Sequence, residues 1–326
     1  MCENSVSASG VLASAPGKVI LFGEHAVVYG RPAIAAPVSQ RRATAVCTPS
    51  PEIILIAPDL GVKRPLSHTP PDDPLAAVIH HFQRAANLPT LPPFTLTVHS
   101  QIPIASGLGS GAAISAAILR ALAAFCGLTA LATDEWVCDL TYEVEKLHHG
   151  TPSGIDNTVV AYEKPVYFVK GQPNRVEPFA VKRPLRLLIA DSGIRSKTIA
   201  VVTDVRRQWE EKTAVFNQLF DDCAAIAQSA RIAIASGNLP QIGHLMTENH
   251  RVLQEMSVSS PLLDALVDAA MAAGAMGAKL SGAGRGGNMI ALVEEGVETA
   301  VTQALLAHGA KTVLSSWITP TTVPDN

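Results

Sequence analysis

Pro103-Ile-Ala-Ser-Gly-Leu-Gly-Ser-Gly-Ala112 is the stretch on which the reading of this chain turns. Just upstream, Phe94-Thr-Leu-Thr-Val98 alternates apolar and polar residues as a half-buried strand does, and Ile102-Pro103 stops it. Just downstream, Gly107-Leu-Gly-Ser-Gly111 opens a strongly helical run to Phe125, with Gly127 as its C-terminal stop. A glycine turn feeding a helix presents unpaired N–H groups and the positive end of the helix dipole, an arrangement suited to phosphate.

The commoner phosphate loops do not fit. Gly107-x-Gly109-x-x-Ala112 and Gly282-x-Gly284-x-x-Gly287 both match the dinucleotide fingerprint literally. The first lacks a following strand that ends in an acid about 20 residues on, and the second runs into a strand, Met289 to Val293, where a helix is required. The chain has no Gly-x-x-x-x-Gly-Lys-Ser/Thr segment and no protein-kinase signature.

Working outward, Ala13 to Val46 reads as strand, turn and strand around the polar corner Gly23-Glu24-His25. Residues 57–93 are proline-rich, with a helix predicted over Leu75 to Ala86. A helix from Thr133 to His148-His149-Gly150 carries Asp134 and Glu135 in its first turn, as its dipole prefers. Trp136, Leu140, Val144 and Leu147 form its predicted buried stripe, with Glu145 one position round from it. Gly171 to Pro184 turns to Gly, Pro and charge, a candidate boundary. Beyond it come strand Leu185 to Ala190, two or three helices between Lys197 and Ala273, and strand Lys279 into a turn at Gly282. Strand Asn288 to Val293, helix Val297 to Ala307 and strand Lys311 to Trp317 complete the pattern. The expectation is a two-domain α+β protein divided near residue 180, into 1–180 and 181–326.

With 326 residues, 48% hydrophobic and 16% charged, the chain has ample core and is not of a disordered class. A net charge of −3 with scattered Lys and Arg argues against nucleic acid as a partner. The five cysteines are odd in number and never form Cys-x-x-Cys, which reads as reduced and structural. Histidine or cysteine clusters with transition-metal spacing are not seen. The start has an acid and no basic or long apolar region of a secretory signal. The most apolar stretch, Ala112 to Leu128, is interrupted by Arg120 and Gly127, as a buried helix is and a membrane span is not. A soluble, cytoplasmic protein without a membrane partner is expected.

Three further segments carry chemistry. Ala15-Pro-Gly-Lys-Val-Ile-Leu-Phe-Gly-Glu-His-Ala-Val-Val-Tyr-Gly30 places a lysine, an acid and a histidine around one strand and turn. His148-His-Gly-Thr-Pro-Ser-Gly-Ile-Asp-Asn157 puts Glu145 and Asp156 on either side of a Gly/Pro turn, and Lys279-Leu-Ser-Gly-Ala-Gly-Arg-Gly-Gly287 is a second glycine-rich loop. With the helix-opening loop, these resemble the ordered motifs of the galactokinase, homoserine kinase, mevalonate kinase and phosphomevalonate kinase superfamily. Gly23 to Gly30 and Gly150 to Asn157 look specifically like its mevalonate kinases, and the resemblance runs from Ala15 to the strand after Gly287.

The resemblance implies an N-terminal domain like ribosomal protein S5, a ferredoxin-like C-terminal domain and a cleft between. It implies transfer of the γ-phosphoryl group of ATP to the C5 hydroxyl of (R)-mevalonate with Mg²⁺, in isoprenoid biosynthesis. Phosphoryl transfer asks mainly for alignment and charge neutralisation. The implied nucleotide contacts are Pro103, Ser106, Gly107, Leu108, Gly109, Ser110, Gly111 and Ala112. Ser110 and Glu145 face Mg²⁺, a hard cation that favours oxygen ligands. Asp156 is the implied base. A carboxylate, whose ordinary pKa of about 4 lies far below an alcohol's, accepts that proton only late, as bonding to phosphorus proceeds. Lys18 offsets negative charge at the attacking oxygen. Glu24, His25 and Ser281 are the implied mevalonate contacts. Dimerisation is common in the superfamily, so a homodimer is a possible assembly.

Each residue also has a plainer reading. Lys18 alone is a solvated lysine, Asp156 a helix N-cap for Asn157 to Tyr162, Glu145 a surface acid beside Lys146, and His25 a turn residue bonded to backbone. It is the conjunction of four segments in one order that favours the chemical reading. Two departures stand out. The superfamily loop usually ends Gly-Leu-Gly-Ser-Ser, whereas Gly111 follows Ser110 here. Arg285 interrupts a loop that is usually all glycine, either as a phosphate contact or as a solvated residue.

Overall fold

The computed structural model describes residues 10–103, 107–149 and 152–320, the side chains of His148 and His149 excepted. The chain packs into two compact units, each made of separate stretches. The first takes Met1–Gly17, Arg41–Ile104 and Gly109–Glu163, and the second Lys18–Gln40, Ala105–Leu108 and Lys164–Asn326. Where the composition suggested one division near residue 180, the changes of unit fall within two long strands, after Gly17 in β1 (Val11–Phe22) and after Gln40 in β2 (Pro32–Pro49), and also at the glycine segment and after Glu163.

In the first unit the C-terminal part of β2 pairs antiparallel with β5 (Phe94–Ser100). β3 (Ile54–Ala57) runs parallel to β5, and β4 (Val62–Pro65) closes that edge. β4 lies in the segment that the proline content had marked as loop, and β3, which ends where that segment begins, was not read from the sequence. On β5, Phe94, Leu96 and Val98 are buried while the threonines between them are not, the alternation read from sequence. α1 (Pro74–Ala85) starts where Asp73 accepts from the Leu75 and Ala76 N–H groups, with proline at the first helical position. α2 (Ser110–Phe125) is buried on nearly every face and packs against α1, α3 (Asp134–His149) and α4 (Ile155–Tyr162). Its one charge, Arg120, pairs with Glu163 at 2.7 Å and Asp134 at 3.6 Å. Among the described residues no helix is long and apolar enough to cross a membrane.

In the second unit the start of β2 pairs with β6 (Val166–Val169), which pairs with β7 (Arg175–Pro178). A four-stranded antiparallel sheet follows in the order β11-β8-β10-β9, from β8 (Leu185–Asp191), β9 (Gly277–Ser281), β10 (Asn288–Val293) and β11 (Thr312–Ile318). That order is the expected ferredoxin-like one, β-α-β-β-α-β. α9 (Glu298–Ala307) makes the second crossover. The first is enlarged to four helices where sequence suggested two or three: α5 (Thr198–Glu211), α6 (Thr213–Ser236), α7 (Leu239–Glu255) and α8 (Pro261–Ala272). Phe216, Phe220, Leu266, Leu280 and Met289 belong to the core between sheet and helices. The ring of Tyr29, near the end of the Ala15 to Gly30 segment, stacks on Phe220 at 4.2 Å.

Candidate active site

In the first unit the glycine segment turns into α2 through Gly109, left-handed at φ 72, whose carbonyl accepts the Ala113 N–H at 2.9 Å. Ser110 is the first helical residue, so the amides of Ser110, Gly111 and Ala112 form the unpaired first turn that suits an anion. Pro103 is half-buried, and Ser106 lies outside the described residues. Glu145 reaches the same place from α3. It is only 8% exposed, and its Oε1 lies 3.9 Å from where a β-carbon on Gly111 would stand. Beside it lies a cavity of about 240 Å³ whose lining includes Asp73, Gly111, Ser115 and Glu145 together with the apolar Val62 and Val144.

The predicted stripe of α3 is rotated in the structure. Leu147 is 55% exposed, and Val137, Cys138, Thr141, Val144 and Glu145 form the buried face. The helix packs on α1, α2 and α4 together, which demands a broader face than the four predicted apolar positions supply. Glu145 therefore stands on the packed face rather than beside it.

Asp156 is half-buried in the first turn of α4. It is not the cap: left-handed Gly154 takes that position, and the Ser153 hydroxyl accepts the Ile155 N–H at 3.3 Å. The helix is pinned by its next two residues. Asn157 donates to the Cys138 carbonyl of α3 at 3.2 Å, and the Thr158 hydroxyl donates to the Gly154 carbonyl at 2.6 Å.

From Lys18 onward the first motif lies in the second unit. Lys18 is 4% exposed, and its backbone N–H donates to the Leu108 carbonyl at 2.9 Å, which joins the first motif to the glycine segment. Gly23, at φ 88, makes the corner possible, because a β-carbon there would stand 2.4 Å from the Pro32 carbonyl oxygen. His25 follows in the left-handed region at φ 60, and its Nε2–H donates to the Ala283 carbonyl at 2.9 Å. Burial pulls its imidazole down to about 4, so at neutral pH the ring is uncharged and Nδ1 is its acceptor. Glu24 turns into the protein, 1% exposed, and pairs with the ammonium of Lys279 on β9. The Ser281 hydroxyl donates to the Ile20 carbonyl at 2.8 Å. The predicted mevalonate contacts Glu24, His25 and Ser281 thus belong to one network, whereas Lys18 and Asp156 belong to different units.

Sequence reading missed Lys279, whose side chain has no exposed surface. Its signal was faint: a charged residue at the centre of an otherwise apolar strand, Gly277-Ala-Lys-Leu-Ser281. Arg285 settles into the left-handed region at φ 54 with its guanidinium on Asp204 of α5 at 2.5 Å and its Nε donating to the Ser257 carbonyl at 3.0 Å. Arg285 holds Asp204 down at about 2, with Arg207 adding to the effect.

Among the described residues no three His, Cys, Asp or Glu side chains converge as a metal cluster. A divalent ion carried by phosphate asks for fewer protein ligands, and the Glu145 carboxylate facing a helix N-terminus, with the Ser110 hydroxyl in its first turn, is an oxygen donor set that fits a hard cation.

Family models match both parts of the chain, GHMP kinases N terminal domain over residues 74–164 and GHMP kinases C terminal over residues 230–311. The mevalonate kinase of Thermococcus sibiricus is 35% identical over 319 residues, 92% of this chain and 94% of that protein. The mevalonate kinase of Aeropyrum pernix is 34% identical over 292 residues, 87% of this chain and 89% of its own. Among solved structures, L. major mevalonate kinase in complex with R-mevalonate superposes with a TM-score of 0.84 at 29% identity, over 99% of this chain and 100% of that one. The Methanococcus jannaschii mevalonate kinase gives 0.81 at 28%, over 95% and 98%.

Proposed function

The chain belongs to the GHMP kinases, and from that premise we propose that it transfers the γ-phosphoryl group of ATP to the C5 hydroxyl of (R)-mevalonate, giving 5-phosphomevalonate and ADP. What carries the reading is the span of the likeness. It takes in 92% of the chain, and the matched domains enclose the amides of α2, Glu145 and Asp156 on one side and the third motif on the other.

The chemistry divides among the residues as follows. Amides of Gly107 to Ala112 bind the α- and β-phosphates, with Pro103 and Ser106 flanking them. Glu145 and Ser110 would hold Mg²⁺, which would supply positive charge to the phosphates. The substrate oxygen attacks phosphorus in line, and as that bond forms Asp156 accepts the hydroxyl proton. Lys18 lowers the cost of negative charge on that oxygen. His25 and Ser281 orient mevalonate, with Glu24 behind them. In this reading residues 1–180 carry the nucleotide and residues 181–326 bring the third motif. A cytoplasmic location is part of the same proposal.

The test is a coupled ADP-release assay across mevalonate, phosphomevalonate, galactose and homoserine. Turnover of mevalonate above all others is expected. Turnover of phosphomevalonate with mevalonate left untouched overturns the substrate assignment.

A further inference from the structure

Glu24 is an unusual residue to find at a substrate corner, because it is nearly sealed from solvent. One carboxylate oxygen pairs with Lys279, and the other, Oε2, has no hydrogen-bond partner. Lys279 in turn has no exposed surface and gives a second bond, 2.7 Å, to the Leu280 carbonyl. Burial pushes Glu24 up and Lys279 down, and their attraction opposes both shifts. Removing one partner from such a pair strands the other as an uncompensated buried charge.

The pair is part of a regular clasp. Successive side chains of a strand point to opposite faces, so every second residue faces the same way. Lys279 and Ser281, two apart on β9, hold Glu24 and the Ile20 carbonyl, and in the turn just past the strand the Ala283 carbonyl accepts from the His25 ring. His25 has a left-handed backbone and follows Glu24 directly, so a shift of Glu24 moves the ring. Other titratable groups near the pair are His250 on α7, whose Nδ1 accepts the Leu280 N–H at 3.3 Å, Cys223 on α6, held at about 12 by burial, and Arg285, occupied by Asp204.

Resting on the substrate reading above, we infer that Lys279 is a positioning residue for the reaction: from the third motif it fixes Glu24, and through Glu24 the His25 ring that meets mevalonate. Lys279 touches neither substrate. Glu24 accordingly acts by holding the corner rather than by contact.

The test is steady-state kinetics of full-length Lys279→Met and of the double variant Glu24→Gln/Lys279→Met, from pH 6 to 9, with thermal unfolding alongside. For Lys279→Met the KM for mevalonate rises about tenfold or more while the KM for ATP stays within about twofold. That mevalonate KM climbs further with pH, because Glu24 without its ammonium is tolerated only while protonated. The double variant carries neither charge. It regains thermal stability and loses the pH dependence, yet keeps the raised mevalonate KM. A mevalonate KM at the wild-type value in the double variant, or an equal rise in both KM values for the single one, overturns the inference. If Lys279→Met does not fold, the double variant alone decides. Failure of the unsubstituted chain to phosphorylate mevalonate would refute the substrate assignment first, and this inference with it, before any variant is compared.

Discussion

Glu145 and Gly111 face each other at the head of α2, the carboxylate oxygen 3.9 Å from the place a β-carbon would take. That spacing is ordinary van der Waals contact, so a serine fits there without displacing α3. Gly111→Ser adds a hydroxyl beside Glu145 and replaces a flexible helical glycine, worth up to about 0.5 kcal/mol of stability. The Mg²⁺ concentration for half-maximal activity should fall about two- to fivefold, since a further oxygen ligand becomes available. A Mg²⁺ titration of both proteins checks this, and an unchanged midpoint would place the ion elsewhere.

Asp156→Asn keeps shape and removes the proton acceptor. The turnover number should drop about 10²- to 10⁴-fold while ATP binding, followed by calorimetry, stays within about twofold. Because Gly154 rather than Asp156 caps α4, the cost to folding is confined to the charge at the helix start, roughly 0.3–1 kcal/mol. A variant retaining more than about a tenth of wild-type turnover would remove Asp156 from the chemistry.

Stability should decline on acidification in a window set partly by His25. Burial lowers this imidazole from 6.5 to about 4, so within that interval the unfolded chain binds a proton that the folded protein refuses. Its contribution is whole above pH 6.5 and is lost as the pH falls through about 4, on the order of 3 kcal/mol at most. His250, also lowered by burial, adds in the same direction. Unfolding midpoints of wild type and His25→Gln at pH 7.5 and 4.5 read this out. The variant should lose less than wild type between the two, and equal losses would mean that His25 is not buried neutral.

Gly277→Ala should be among the most damaging single changes in the second unit. A β-carbon there would lie 2.0 Å from the Gly243 carbonyl oxygen, where β9 meets α7 backbone to backbone. Neither side can yield without separating the two elements, and the cost should exceed about 2 kcal/mol. Urea unfolding measures it. A midpoint within error of wild type would show that α7 has slack.

The α2 head was legible because strand, proline, glycine turn and helix each leave a local mark in sequence. So were β5, β8 and β10, whose alternation or apolar runs carry their burial. β6 and β7 were not, because Gly171 to Pro184 is dominated by turn residues and β6 is only four residues long. The rotation of α3 was hidden for a different reason: Thr141 and Glu145 are buried by packing on three helices, and polar residues give periodicity no hydrophobic signal. The Glu24–Lys279 pair spans 255 positions, a distance over which no pattern in a single chain reports who meets whom. Local grammar thus found the motifs, and tertiary pairing decided what Glu24 does within them.

Arg285 leaves its own mark on how this chain can change. A left-handed glycine at that position would need nothing from its surroundings, but an arginine there depends on Asp204 and on the Ser257 carbonyl. Losing Asp204 alone would abandon a permanent cation in a backbone shape it adopts reluctantly, and losing Arg285 alone would leave Asp204 with Arg207 and the Gln208 amide. The two positions are therefore committed to each other. In descendants of this sequence they should be exchanged together, with a return to glycine at 285 freeing 204 to drift.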